Sequence, residues 1–153
     1  MAQVCQGIAA YRATEAPLLL AYYCTLLAEV SAHLGHTADG LQALAEAHTL
    51  MEQHEERMLE AEVYRLRGVL LLKQTGPPQA EAETWLQRAL DVARRQEAKS
   101  LELRAAMSLA RLWQQQGKRA AAHDLMGPIY GWFTEGFDTA DLQDAKALLD
   151  TLA

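Results

Sequence analysis

The chain is short of cysteine, of long apolar runs and of basic charge, and each shortage removes a class of protein. Two cysteines in 153 residues, Cys5 and Cys24, are too few for a disulfide framework. Both stand in helical patterns rather than in a CxxC arrangement and read as reduced packing residues. The longest apolar runs, such as Leu18 to Ala21 and Val69 to Leu72, fall far short of the roughly 20 residues that span a bilayer. No membrane segment is expected. A formal net charge of -6 denies the chain the broad basic surface on which nucleic-acid binding relies. The opening MAQVCQGIAAYRATE lacks the basic start and long apolar core of a secretory signal, so a cytoplasmic location is the expectation.

Chemistry-bearing constellations are missing too. The glycines are isolated, and Gly117-Lys118 lacks the upstream glycine and the following Ser or Thr of a phosphate loop, so no nucleotide cofactor is expected. His33 and His36 stand near a helix end, His48 and His54 are six apart and His123 is alone, with no HExxH motif or cysteine-histidine cluster to hold a metal. The carboxylates Glu52, Glu55, Glu56, Glu60 and Glu62 read as a solvated helix end and turn, because nothing supplies the fixed geometry of a calcium loop. Trp85, Trp113 and Trp132 with Phe133 read as packing residues on apolar stripes. With no nucleophile, base or metal grouping, the chain is expected not to be an enzyme.

What is present is a repeat. Half of the residues are apolar, enough for one domain with a continuous core. Gly35, Gly76 and Gly117 are 41 residues apart, each after an apolar helical segment and before an alanine-rich one. They mark three turns. In LLLAYYCTLLAEVSAHL, residues Leu20, Tyr23, Cys24, Leu27, Ala28 and Ser31 keep the spacing of one helical face. After Gly35, Thr37 is placed to cap a helix with the stripe Leu41, Leu44, Ala45, Ala47 and Leu50. A second hairpin runs from Leu59 to Lys73, turns at Thr75-Gly76-Pro77-Pro78, and returns from about Gln79 to Gln96 with Ala82, Trp85, Leu86, Ala89, Leu90 and Ala93 inward. Proline stops one helix and is tolerated in the first turn of the next. The third runs from about Ser100 to Gln116 with Leu103, Ala106, Met107, Leu109, Ala110 and Trp113, turns at Gly117-Lys118 and returns through Arg119 to Phe133. Small residues recur where helices would cross: Ala28, Gly68 and Ala110 on first helices, Gly40, Ala82 and Ala122 on second ones.

Leu27-Ala28, Leu66 with Gly68, and Leu109-Ala110, followed by Gly40 with Ala47, Ala82 with Ala89, and Ala122 with Ile129, resemble the tetratricopeptide (TPR) repeat. The resemblance covers roughly residues 16 to 133, and helices longer by about two turns per hairpin account for a period above the familiar value of about 34. It implies an all-α fold, a right-handed α-α superhelix or TPR-like solenoid of antiparallel helical hairpins, as a single domain over 1–153. Within it, 16–54, 57–96 and 99–133 are the hairpins.

Counting one period back from Gly35 makes residues 3–14 a lone second helix of an incomplete repeat, with Val4, Ile8 and Tyr11 beside an open interface. More chain or a second copy, giving a homo-oligomer, would fill it. At the other end Asp138 or Thr139 is placed to cap a final helix over 139–152, whose Leu142, Ala145, Leu148, Leu149 and Leu152 would close the stack as a C-terminal capping helix. The segments RRQEAKSLELRAAMSLARLWQQQGK and YGWFTEGFDTADLQDAKALLDTL are also similar to the C-terminal TPR arrays of bacterial STAND-type ATPase and adenylate cyclase-like regulators. That similarity implies a sensor or scaffold role in signalling and carries no catalytic residues.

In such arrays the first helices line a concave groove. Projected onto this sequence, its exposed positions are Tyr22, Thr25 and Glu29, then Glu62 and Arg65, then Arg104, Met107 and Arg111. A protein or peptide partner is the expected ligand, with a small molecule controlling an attached ATPase, or self-association, as alternatives. The arginines suit an acidic or carboxylate group, but the chaperone-type carboxylate clamp uses asparagine and this chain has none. Charge is uneven: Arg94 to Arg119 is basic apart from Glu97 and Glu102, whereas Glu29 to Glu62 is acidic with Arg57 its one Lys or Arg. Such asymmetry steers an acidic partner or favours head-to-tail packing.

Overall fold

A computed structural model of the chain describes residues 2–13, 19–74, 76 and 78–153. These residues form eight helices and no strand: α1 (Ala2–Arg12), α2 (Leu20–Leu34), α3 (Thr37–His54), α4 (Glu60–Leu72), α5 (Gln79–Arg95), α6 (Lys99–Gln115), α7 (Arg119–Gly131) and α8 (Ala140–Leu152). The chain is all-α. Thr14, residues 16–18 of the first expected hairpin, Thr75 and Pro77 of the second turn, and the Cys5 side chain lie outside what is described.

The three glycine turns are where the spacing puts them. Gly35, Gly76 and Gly117 have φ of 77°, 68° and 78°, a left-handed conformation that costs glycine little and any other residue more. After Gly35 the chain re-enters a helix at once, and α2 packs on α3. The pairs α4 with α5 and α6 with α7 pack in the same way, and α2, α4, α6 and α8 also touch in series.

The small residues matter most at two crossings. A Cβ on Gly40 would stand 2.9 Å from Leu70 Cδ1 and 3.2 Å from Ser31 Cβ, and one on Gly68 would stand 2.7 Å from Leu86 Cγ and 3.1 Å from the Ala82 carbonyl oxygen. Helices α3 and α5 therefore approach α4 more closely than a side chain allows. Ala28, Ala82, Ala110 and Ala122 are fully buried at the corresponding places. One core joins Cys24, Ala28, Leu44, Ala47, Leu66 and Leu70, and a second joins Leu86, Leu103, Leu109, Met126 and Leu148. Cys24 is packing: burial, with the nearby Glu46 carboxylate, pushes its thiol up to about 11, so little thiolate forms at neutral pH.

Several local expectations are corrected. Thr37 does not cap α3 but is its first residue; His36 stands at the cap position, with no side-chain cap bond. Likewise Thr139 precedes α8 in an extended conformation, yet its hydroxyl donates backward to the Gly136 carbonyl at 2.7 Å instead of capping. Ala45 faces solvent, and Ala43 and Met51 take the buried places on α3. Trp132, the first residue past α7, is 57 % exposed while Phe133 beside it packs against the core, and Trp113 is half-buried and donates from its indole to Glu83 at 2.7 Å. Of the three α1 residues expected beside an open interface, Ile8 is buried, while Val4 and Tyr11 are half-buried and Tyr11 stacks edge-on against Tyr23 of α2, with ring centroids 5.0 Å apart. Glu60 and Glu62 are not part of a solvated cluster but are buried in ion pairs.

Candidate functional site

The serial contact of α2, α4, α6 and α8 leaves a groove of about 550 Å³ along one side of the molecule. Its floor is apolar, made by Leu66, Val69 and Leu72 of α4 with Met107 and Leu112 of α6. Charged residues from all four helices rise around that floor. The lining includes five of the eight residues expected from the sequence: Met107 in the floor and the charged Glu29, Arg65, Arg104 and Arg111.

The other three are placed differently. Glu62 is buried beside the groove as the counter-ion of its arginines. Thr25 is buried and spends its hydroxyl on the Ala21 carbonyl one turn back, at 2.8 Å. Tyr22 is exposed but lines a separate apolar hollow with Leu19, Met51, Met58 and Leu59. Exposure was overestimated at Thr25, Glu62, Arg65 and Met107, all of which are buried. The reason is geometric: a first helix presents only a narrow strip to the groove, and neighbouring first helices cover its flanks.

One end of the groove is a closed network of charge. Arg65 forks onto Glu62 with bonds of 2.8 and 2.7 Å and reaches the Ser108 hydroxyl at 3.4 Å. Arg104 reaches across from α6, meeting Glu62 of α4 at 3.0 Å and Glu29 of α2 at 2.8 Å. Asp141 of α8 stands 3.9 Å from the same guanidinium. Burial lowers the pKa of Arg65, but the hydrogen bonds and charge of Glu62, helped by Glu29 and Asp141, outweigh it and the net shift is upward. The guanidinium stays charged, as a paired buried group must.

The other end is not closed. His33 lies about one turn beyond Glu29, Lys73 about two beyond Arg65, and Arg111 about two beyond Arg104. Lys73 donates to the Ala32 carbonyl at 2.8 Å, which sets the last turns of α2 and α4 side by side. Arg111 has only Asp144 nearby, at 3.9 Å, beyond hydrogen-bond length. Sequence reasoning missed His33, Lys73, Gln115, Asp141 and Asp144 as groove residues. The α8 acids could have been found by continuing the projection from α6 onto the final helix at the same register.

A smaller hollow of about 330 Å³ lies between the α5–α6 junction and α7, lined by Arg94, Lys99, Glu102 and Trp132 among others. Burial raises the Glu102 carboxyl, yet Lys99 at 2.8 Å and Arg94 at 3.0 Å outweigh it and hold the group below the ordinary carboxylate range. The Lys99 ammonium also sits 5.6 Å from the exposed Trp132 ring. Among the described residues no group of three or more His, Cys, Asp or Glu is placed to hold a metal ion, and no helix is long and apolar enough to cross a membrane.

No family model matches the chain, and no curated protein or solved structure matches it either.

Proposed function

We propose that the chain is a TPR-like stack, a right-handed α-α superhelix with α8 as its cap, and that it acts as a non-catalytic module binding a protein or peptide segment in the groove. The observation that carries this reading is the groove itself: the alternate helices α2, α4, α6 and α8, one from each successive repeat of the chain, contribute to one apolar-floored trough. Such a trough suits an elongated ligand, whose main chain or helix can lie along the floor while its side chains meet the rim. A sensor or scaffold role within a bacterial signalling or transcription regulator is part of this proposal, and it rests on the resemblance of two segments, residues 94–118 and 130–152, alone.

The test is selection of binders from a random displayed peptide library, followed by hydrogen exchange on the complex. Enriched peptides should slow exchange in α4 and α6 around Val69, Leu72 and Met107, and Val69→Arg should abolish the enrichment. Failure to enrich any peptide, or protection confined to the convex helices α3, α5 and α7, would overturn the reading. A second reading is supported by the groove's volume, which lies within the roughly 300–1,000 Å³ of small-molecule sites. A metabolite that raises the melting temperature by mass action, with no effect of Val69→Arg on peptide enrichment, would favour it.

A further inference from the structure

The two ends of the groove differ in what they leave for a ligand. At the closed end Glu29, Glu62 and Asp141 already surround Arg65 and Arg104, so an incoming acid would have to displace a resident carboxylate and an incoming base would have to displace an arginine. At the open end the donors outnumber their partners. Lys73 has three donors and gives one to Ala32, while the five-donor guanidinium of Arg111 has no hydrogen bond to a described residue. His33 and Gln115 likewise have no side-chain hydrogen-bond partner among the described residues. Lys73 also answers the carbonyl end of α2, where positive charge is favourable in any case. Arg111 is therefore the cation left over, and it lines the same groove as the partly exposed Val69 and Leu72.

We propose that this open end takes a side-chain carboxylate of an internal, acidic peptide segment, held by Arg111 with Lys73 while an apolar neighbour of that acid packs on Val69 and Leu72. The inference rests on the groove reading above and adds the chemistry of its occupant. Charge complementarity selects an acid, since a basic segment would meet two like charges that only Asp144 offsets. A planar guanidinium beside apolar side chains is suited to paired recognition of a carboxylate next to a hydrophobic group.

Fluorescein-labelled, N-acetylated and C-amidated peptides on one leucine-containing scaffold, carrying Glu, Gln or Lys at the intervening positions, test it by polarisation. Blocked ends remove any terminal carboxylate, so only side-chain acids are read. The Glu series should bind, weaken with added salt, and lose about tenfold in affinity with Arg111→Glu. Arg95→Glu, the same charge change at an exposed site on α5 outside the groove, should leave binding unchanged within about twofold. Far-ultraviolet circular dichroism on both variants confirms that each is folded. Equal binding of the Gln or Lys series, or equal loss from Arg95→Glu and Arg111→Glu, overturns the acid assignment while leaving the groove reading in place. If none of the three series binds and Val69→Arg changes nothing in the library selection, the groove reading and this assignment both fall.

Discussion

The closed and open ends of the groove are built from the same kinds of residue on the same helices, but they use charge in different ways. At the closed end Arg65 and Arg104 tie α2, α4 and α6 together, and the side chains of Glu62 and Arg65 are only 6 % and 11 % exposed. At the open end the Arg111 and Asp144 side chains are 49 % and 68 % exposed and 3.9 Å apart. Burial makes the difference. A paired charge out of water is costly to disturb because its partner is stranded, whereas an exposed one is screened and nearly free to be used elsewhere. The first end holds the helices in register, and the second is available for contact.

The contrast can be broken most directly at Arg65. Replacing it with alanine leaves Glu62 buried with Arg104 alone, and urea unfolding should show a loss of about 2–3 kcal/mol. The Arg104–Glu29 bridge is about one-third exposed on each side, so a double-mutant cycle with Arg104→Ala and Glu29→Ala should give a coupling near 1 kcal/mol, falling in high salt. A third measurement extends the contrast to Glu102, whose folded pKa is depressed. Its contribution is present above the ordinary carboxylate pKa and is lost as pH falls through the lowered folded value. Glu102→Gln should therefore flatten the acid limb of the stability profile, costing about 1 kcal/mol at neutral pH, the half-exposed Arg94 limiting the effect. Smallest of all, Arg111→Ala should change stability by less than about 0.5 kcal/mol. If its cost matched that of Arg65→Ala, the two ends would not differ in the way described.

Much of the helix pattern was legible beforehand. Three glycines in register, each after an apolar run, located three turns, and their positive φ values are the physical cause of that regularity. The apolar spacing on α5, α6 and α8 named core residues that are buried, including Leu86, Leu103, Leu109, Leu142 and Leu148. Cap chemistry was less legible. Thr37 and Thr139 have the right side chains for capping, but Thr37 is already the first helical residue and the Thr139 hydroxyl is bonded to the Gly136 carbonyl instead. Trp132 looked like core by its chemistry, yet of the two aromatic residues past the end of α7 it is Phe133 that packs on the core and Trp132 that is exposed.

The groove was only half readable for a related reason. Periodicity assigns a residue to a face of its own helix, and that was enough to bring Glu29, Arg65, Arg104, Met107 and Arg111 to one side. It does not say which members of the face a neighbouring helix will cover. The acidic run Glu52 to Glu62 shows the cost: Glu52 and Glu55 are exposed, whereas Glu60 and Glu62, a few residues on, are buried against Arg57, Arg65 and Arg104.

Sequence alone determined the number of described helices after the first turn, the glycine positions between them and most of the buried stripe, because these follow from backbone sterics and from contacts a few residues apart. Only the tertiary structure decided which charges are spent and which are left. The Arg104–Glu29 contact spans 75 residues, and whether a guanidinium finds a carboxylate at that separation depends on how whole helices stack, which no local spacing records.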